Sequence, residues 1–402
     1  MKKALFFLMG LVLVTFTTLK AVEQTSLPEK NADKAIDTAE AKAVMNNVYD
    51  SFVNIIPYVY ADKFAFETLK SSSAQKTLIK NLTDISNSFK EARHVQYFQK
   101  PGFRPSLDTI NSHIDETIVS IKSENMTFAL SRLKAITALC VSCHSLLSES
   151  ASKNAFGEAI NSEKRTRFES DYAFANYLFL VRRFSEATVY FDKTIRHHLE
   201  LGQNTDLQNE QEIQSSLRRV LSIYTKITFN PDASVAFLKK YKDHQFLKPQ
   251  LKMTITQWIS SLDKWKKFDP HKIKSIHLFI TKYLAPLEAQ KEKLLSGESD
   301  ITLLIASGVL SKYINDNPLS PYGPEVLYWM AIAERRLSNT YFFSLSDLYL
   351  KDCITLYPKN PIAKKCYQEY EDNITFGFSG SKGTDIPNEE KKELDRLKSV
   401  LK

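Results

Sequence analysis

The chain has 402 residues with 54 basic and 46 acidic side chains, a formal charge of +8, 43% hydrophobic residues, and only 10 Gly beside 14 Pro. That hydrophobic content supports real cores, and the scarcity of glycine points to helices over turn-rich β structure. No Gly-rich phosphate loop, nucleic-acid motif or Ser/His/Asp arrangement is present, so neither a nucleic-acid partner nor an enzymatic activity is expected.

Lys2 and Lys3 open the chain and an apolar run from Ala4 to Thr18 follows, too short for a comfortable membrane span. This is the pattern of a secretory signal covering residues 1–21, with Ala21 as the cleavage position and a linker over 22–40. No cysteine lies near residue 21, which argues against a lipid anchor. An uncleaved signal acting as an anchor is the alternative, and it leaves the same domains facing the periplasm. The mature chain loses Lys2, Lys3 and Lys20, has a charge of about +5, and contains no stretch approaching 18 consecutive apolar residues. A periplasmic location follows, and the length suits two domains or one domain plus a repeat array.

Four amphipathic helices are predicted between residues 41 and 155. The first (42–60) carries Met45, Tyr49, Phe52 and Ile56 on one face. The second (74–97) carries Leu78, Leu82, Ile85 and Phe89, and Lys100-Pro101-Gly102 breaks the chain after it. The third (106–123) has Leu107, Ile110, Ile114, Ile118 and Ile121. The fourth (125–147) has Ala129, Leu133, Ile136, Cys140 and Cys143. Short loops between such helices form an antiparallel four-helix bundle, a frequent host of cofactors.

The fourth helix ends on Cys140-Val141-Ser142-Cys143-His144. C-x-x-C-H is the attachment signature of c-type haem. Both thiols add across the haem vinyl groups, and the adjacent imidazole becomes an axial iron ligand. One turn of helix puts all three groups on one side, which explains the tight spacing. One covalently attached haem c is therefore expected, held by Cys140, Cys143 and His144, with export supplying the compartment where attachment occurs.

With its haem motif in the last helix of the bundle, and with the pattern Phe128, Ala129, Leu133, Ile136, Leu139, Cys140, Cys143, His144, this part of the chain resembles the cytochrome c-prime family over about 110 residues. The resemblance implies a bundle with haem tethered to the fourth helix and His144 as proximal ligand. It also implies a sixth position taken by a Met of the first helix in low-spin members, or blocked by an apolar side chain in high-spin ones. Met45, 95 residues before Cys140, matches the Met position. Thioether ligation by Met45 would favour reduced iron; the alternative is a Met filling core space. Met126 lies on the haem helix itself, and His94 and His113 read as surface or internally satisfied histidines.

From residue 164 to 376 the chain reads as a helical array. Residues 171–194 resemble one tetratricopeptide unit, with Ala175 at the small position of its first helix and Phe184, Ala187 and Phe191 on the second. Residues 327–370 have the same look, with Trp329, Ala331 and Ala333 as a packing face and Tyr357-Pro358-Lys359-Asn360-Pro361 as a repeat-end turn. The helices between (209–226, 231–241, 247–266, 271–283 and 299–314) match the repeat poorly. Arrays of this kind bind proteins through extended surfaces.

From Asp232 to Pro286 stand eleven Lys, four Asp, and no Arg or Glu. This stretch reads as a docking face for an acidic redox partner, or as an ordinary solvated surface. Trp258 and Trp265, seven residues apart, share a face and read as packing. Cys353 and Cys366 flank the 357–361 turn and are expected to form a disulfide, the alternative being two buried thiols. The tail (377–402) reads as a flexible linker followed by a short charged helix capped by Asn388, with Leu394, Leu397 and Leu401 along one side.

The sequence reading is thus all-α: a four-helix haem bundle followed by a tetratricopeptide-like α-solenoid. It describes an exported mono-haem cytochrome that transfers electrons and docks its partner through the array. A gas-binding sensor with an open sixth site is one alternative, and an assembly scaffold carrying a haem is another.

Overall fold

The computed structural model describes residues 33–60, 69–95, 107–126, 128–133, 135–136, 164–168, 170–202, 206–288, 297–317, 319–337, 341–342, 344–381 and 383–401. The fold is all-α: among these residues the only strands are a two-residue pair near the C-terminus. The proposed signal segment and the whole Cys140–His144 motif lie outside the described residues.

The N-terminal part is built from α1 (Asp33–Tyr60), α2 (Ser72–Glu91), α3 (Leu107–Lys122) and helical residues at 126, 128–133 and 135–136, together the 126–136 stretch. α1 packs on α2, and α2 on α3. Leu78, Leu82, Ile85 and Phe89 of α2 and Leu107, Ile110, Ile114 and Ile121 of α3 are buried, as their helical spacing requires. α1 differs from expectation. Its buried stripe is Ala41, Val48, Phe52 and Ile55, while Met45 and Tyr49 flank that stripe half-buried. The segment offers two adjacent apolar stripes, and the one through Val48 and Ile55 takes the core.

The next helices are α4 (Asp171–Leu180) and α5 (Phe184–Glu200), the pair read in the sequence as a repeat unit. Ser170 caps α4 through the backbone N–H of Ala173 at 3.0 Å. Ala175, Ala187 and Phe191 are fully buried between the two helices. Arg182, at φ 65°, takes the left-handed conformation that closes the short turn joining them. There follow α6 (Leu207–Ser222), α7 (Pro231–Lys239), α8 (Pro249–Trp265), α9 (Ile276–Tyr283), α10 (Ala285–Glu288) and α11 (Gly297–Asp316). A π-helical turn, Ile223–Ile227, extends α6 and lies against α11. At Gly308 of α11 a Cβ would stand 2.3 Å from the Lys226 carbonyl oxygen, so only glycine permits this approach. Trp258 and Trp265 are buried, and the Trp258 indole N–H donates to Asp300 at 3.0 Å.

The final helices are α12 (Gly323–Leu337), α13 (Ser346–Leu356), α14 (Pro361–Gly377) and α15 (Asn388–Val400). Trp329, Ala331 and Ala333 are buried in α12. The segment expected as a linker instead closes a hairpin, β1 (Ser379–Gly380) against β2 (Gly383–Thr384), with the Asp385 N–H donating to the Phe378 carbonyl at 3.0 Å. Gly383, at φ 103°, supplies a conformation open chiefly to glycine. Asn388 does not cap α15. It is the first helical residue, behind an extended Pro387, and no side chain caps that end. α15 returns onto α13 and α14 and buries Leu394 and Leu397 there.

Candidate functional site

Of the residues read as haem ligands, Met45 alone is described, half-buried on α1 against the apolar core. Cys140, Cys143 and His144 lie outside the described residues. What leads up to them is the stretch 126–136, where Met126, Ala129, Leu133 and Ile136 are all buried. Their spacing of three and four is one helix face, and the sequence continues it with Cys140 and Cys143. His94 is exposed on a 3-10 turn. His113 is buried and internally satisfied.

The densest chemistry lies where α3 and the helical residues before 136 meet α13 and α15. Glu116 of α3 is its centre. One carboxylate oxygen accepts from the Lys351 ammonium of α13 at 2.8 Å and from the Ser112 hydroxyl at 3.2 Å. The other pairs with the Arg132 guanidinium of the stretch 126–136. Arg132 also donates to Glu390 of α15 at 2.8 Å and lies 4.3 Å from the Phe128 ring centre. Lys351 reaches Glu393 of α15 at 3.3 Å. Beside them the Thr109 hydroxyl donates to Asp352 at 2.7 Å, and Phe128 meets Phe378 with ring centres 6.2 Å apart.

Burial sets the protonation states here. His113 Nε2 lies 3.0 Å from the Arg132 carbonyl oxygen, which can only accept, so Nε2 carries the proton; Nδ1 accepts from the Arg132 guanidinium at 3.1 Å. Burial first, and then the Arg132 charge, lowers the His113 pKa to about 3, so the ring is neutral. Burial alone would raise Glu116, but the charges of Lys351 and Arg132 overcome it and hold the carboxyl at about 2. Burial raises Glu390 despite Arg132, and one of its oxygens has no hydrogen-bond partner. The cluster joins residues up to 258 positions apart, so no local motif announces it. A charged Lys351-Asp352 pair inside the apolar run Leu348–Ile354 was the available signal.

Cys353 and Cys366 are joined by a disulfide between α13 and α14, with Cα atoms 6.3 Å apart. The bridge lies beside the cluster, since Lys351 and Asp352 immediately precede Cys353. The lysine-rich run is partly answered by acids beyond it: Lys240 pairs with Asp192 at 3.3 Å and Lys248 with Glu210 at 2.7 Å. Within it, Lys266 pairs with Asp263 and Lys272 with Asp269. Lys239, Lys267, Lys274 and Lys282 are exposed.

Compared with protein-family models, curated proteins and solved structures, the chain matches none. Among the described residues no helix is long and apolar enough to cross a membrane, and no group of three or more His, Cys, Asp or Glu could hold a metal ion.

Proposed function

We propose that the chain is an exported, periplasmic, mono-haem c-type cytochrome that transfers single electrons and recruits an acidic redox partner through its helical array. The observation that carries this is the Cys140–His144 motif standing in register with the buried face Ala129, Leu133, Ile136. Cys140 and Cys143 would tether the haem and His144 would ligate the iron. When bound, haem supplies one-electron chemistry at a potential tuned by its axial ligands and surroundings. The chain's own part is to keep the leading face of the 126–136 stretch dry and to hold that stretch through Arg132. The c-prime-like bundle and tetratricopeptide-like array belong to the same proposal. The exposed lysines of the 232–286 run would steer the partner electrostatically.

A second reading has its own support. Met45 flanks the buried stripe of α1 instead of lying in it, which favours an iron whose sixth position is free to bind a gas.

Haem-dependent peroxidase staining on a denaturing gel tests the assignment. Wild-type protein from a host competent in cytochrome c maturation should stain, and Cys140→Ala with Cys143→Ala should not. Equal staining of both would overturn covalent attachment at this motif.

A further inference from the structure

α15 touches both halves of the molecule within a single helical turn. Glu390 reaches Arg132, on the stretch leading into the C-x-x-C-H motif, at 2.8 Å. Glu393 reaches Lys351, on the array, at 3.3 Å. On the same side, Leu394 and Leu397 are buried, while most of the other described side chains of the helix are charged and exposed. The hairpin before it turns the chain back and sets Phe378 against Phe128.

These anchors are selective but few. Two leucines supply little buried apolar area, and a buried ion cluster roughly balances Coulomb attraction against desolvation. Glu390 shows that cost directly, buried with one oxygen unpartnered. Such an element opens far more readily than a core helix like α13, which has the Cys353–Cys366 bridge and buries Leu348, Tyr349, Leu350 and Ile354.

We infer that the C-terminal helix is a releasable strap that locks the 126–136 stretch to the array, so that opening it detaches that stretch from the array while the array stays folded and α3 stays on α13 through Glu116–Lys351 and Thr109–Asp352. That the freed element is a haem carrier, turned toward or away from a docked partner, rests on the function proposed above. The strap itself does not, and it can be tested on protein made without haem.

Hydrogen exchange of the full chain, followed by mass spectrometry, distinguishes the outcomes. In the wild type, peptides of α15 should exchange at least about tenfold faster than those of α13. Leu397→Ala should speed exchange of α15 and of residues 126–136 by about tenfold or more, and leave α4 and α5 unchanged. A chain ending at Pro387 should show the same pattern more strongly. Equal protection of α15 and α13 in the wild type would overturn the inference. So would unchanged protection of 126–136 in Leu397→Ala, or a loss of protection in that variant that extends to α4 and α5.

Discussion

Acidification should expose the buried neutral His113. In the unfolded chain an imidazole takes up its proton near 6.5, whereas in the folded protein His113 resists protonation until about 3. As pH falls below 6.5 the unfolded state therefore binds more protons than the folded state, and stability drops. The stability in question is fully present above 6.5 and is lost as pH falls toward 3. At about 1.36 kcal/mol per pH step, this one residue removes about 2 kcal/mol by pH 5 and about 4–5 kcal/mol by pH 3. Glu116 adds a second loss in the same direction, but only below its unfolded value of 4.5. His113→Gln separates the two, because an amide can donate to the Arg132 carbonyl and accept from its guanidinium but does not titrate. Denaturant unfolding at a series of pH values measures the difference. Between pH 7 and 5 the wild type should lose about 2 kcal/mol more than His113→Gln. Identical pH slopes for the two proteins would refute a buried neutral His113.

Lys351→Met should destabilise the protein by about 3–5 kcal/mol in denaturant titration, because it leaves Glu116 and Glu393 short of a buried cation. Adding Glu116→Gln should cost clearly less than the sum of the single changes, the sign of direct coupling. Gly308→Ala should cost about 2–3 kcal/mol, since its Cβ meets the Lys226 carbonyl oxygen and Phe229; a neutral effect would mean that α11 and the π turn stand further apart. If the Met45 sulfur binds iron, the oxidised protein should show the weak near-infrared band of His–Met haem, and Met45→Leu should remove it and admit carbon monoxide. A wild type that lacks the band and binds carbon monoxide readily favours the gas-binding reading.

Helical periodicity made most of the fold legible. The apolar positions of α2 and α3, the small residues of α4 and α5 and the packing face of α12 could all be named from spacing, because one amphipathic face suffices to bury each helix. On α1 Phe52 is buried as expected, but Val48 and Ile55 accompany it in the core while Met45 and Tyr49 flank it, because spacing does not rank two adjacent apolar stripes. The hairpin at 379–384 was read as linker because Gly and Ser signal both flexibility and tight turns. The C-x-x-C-H motif is local and could be read in the sequence, although it lies outside the described residues. The Glu116–Arg132–Lys351–Glu390 cluster could not, since each member looks like a solvated charge until the helices that carry it are packed together.

Intact mass and optical spectrum of the purified, denatured protein address covalent haem most directly. Produced with cytochrome c maturation, the chain should exceed its polypeptide mass by one haem and keep a haem absorption band after denaturation and gel filtration. A polypeptide of unmodified mass with no absorption in the visible, from a host that matures other c-type cytochromes, would contradict the account.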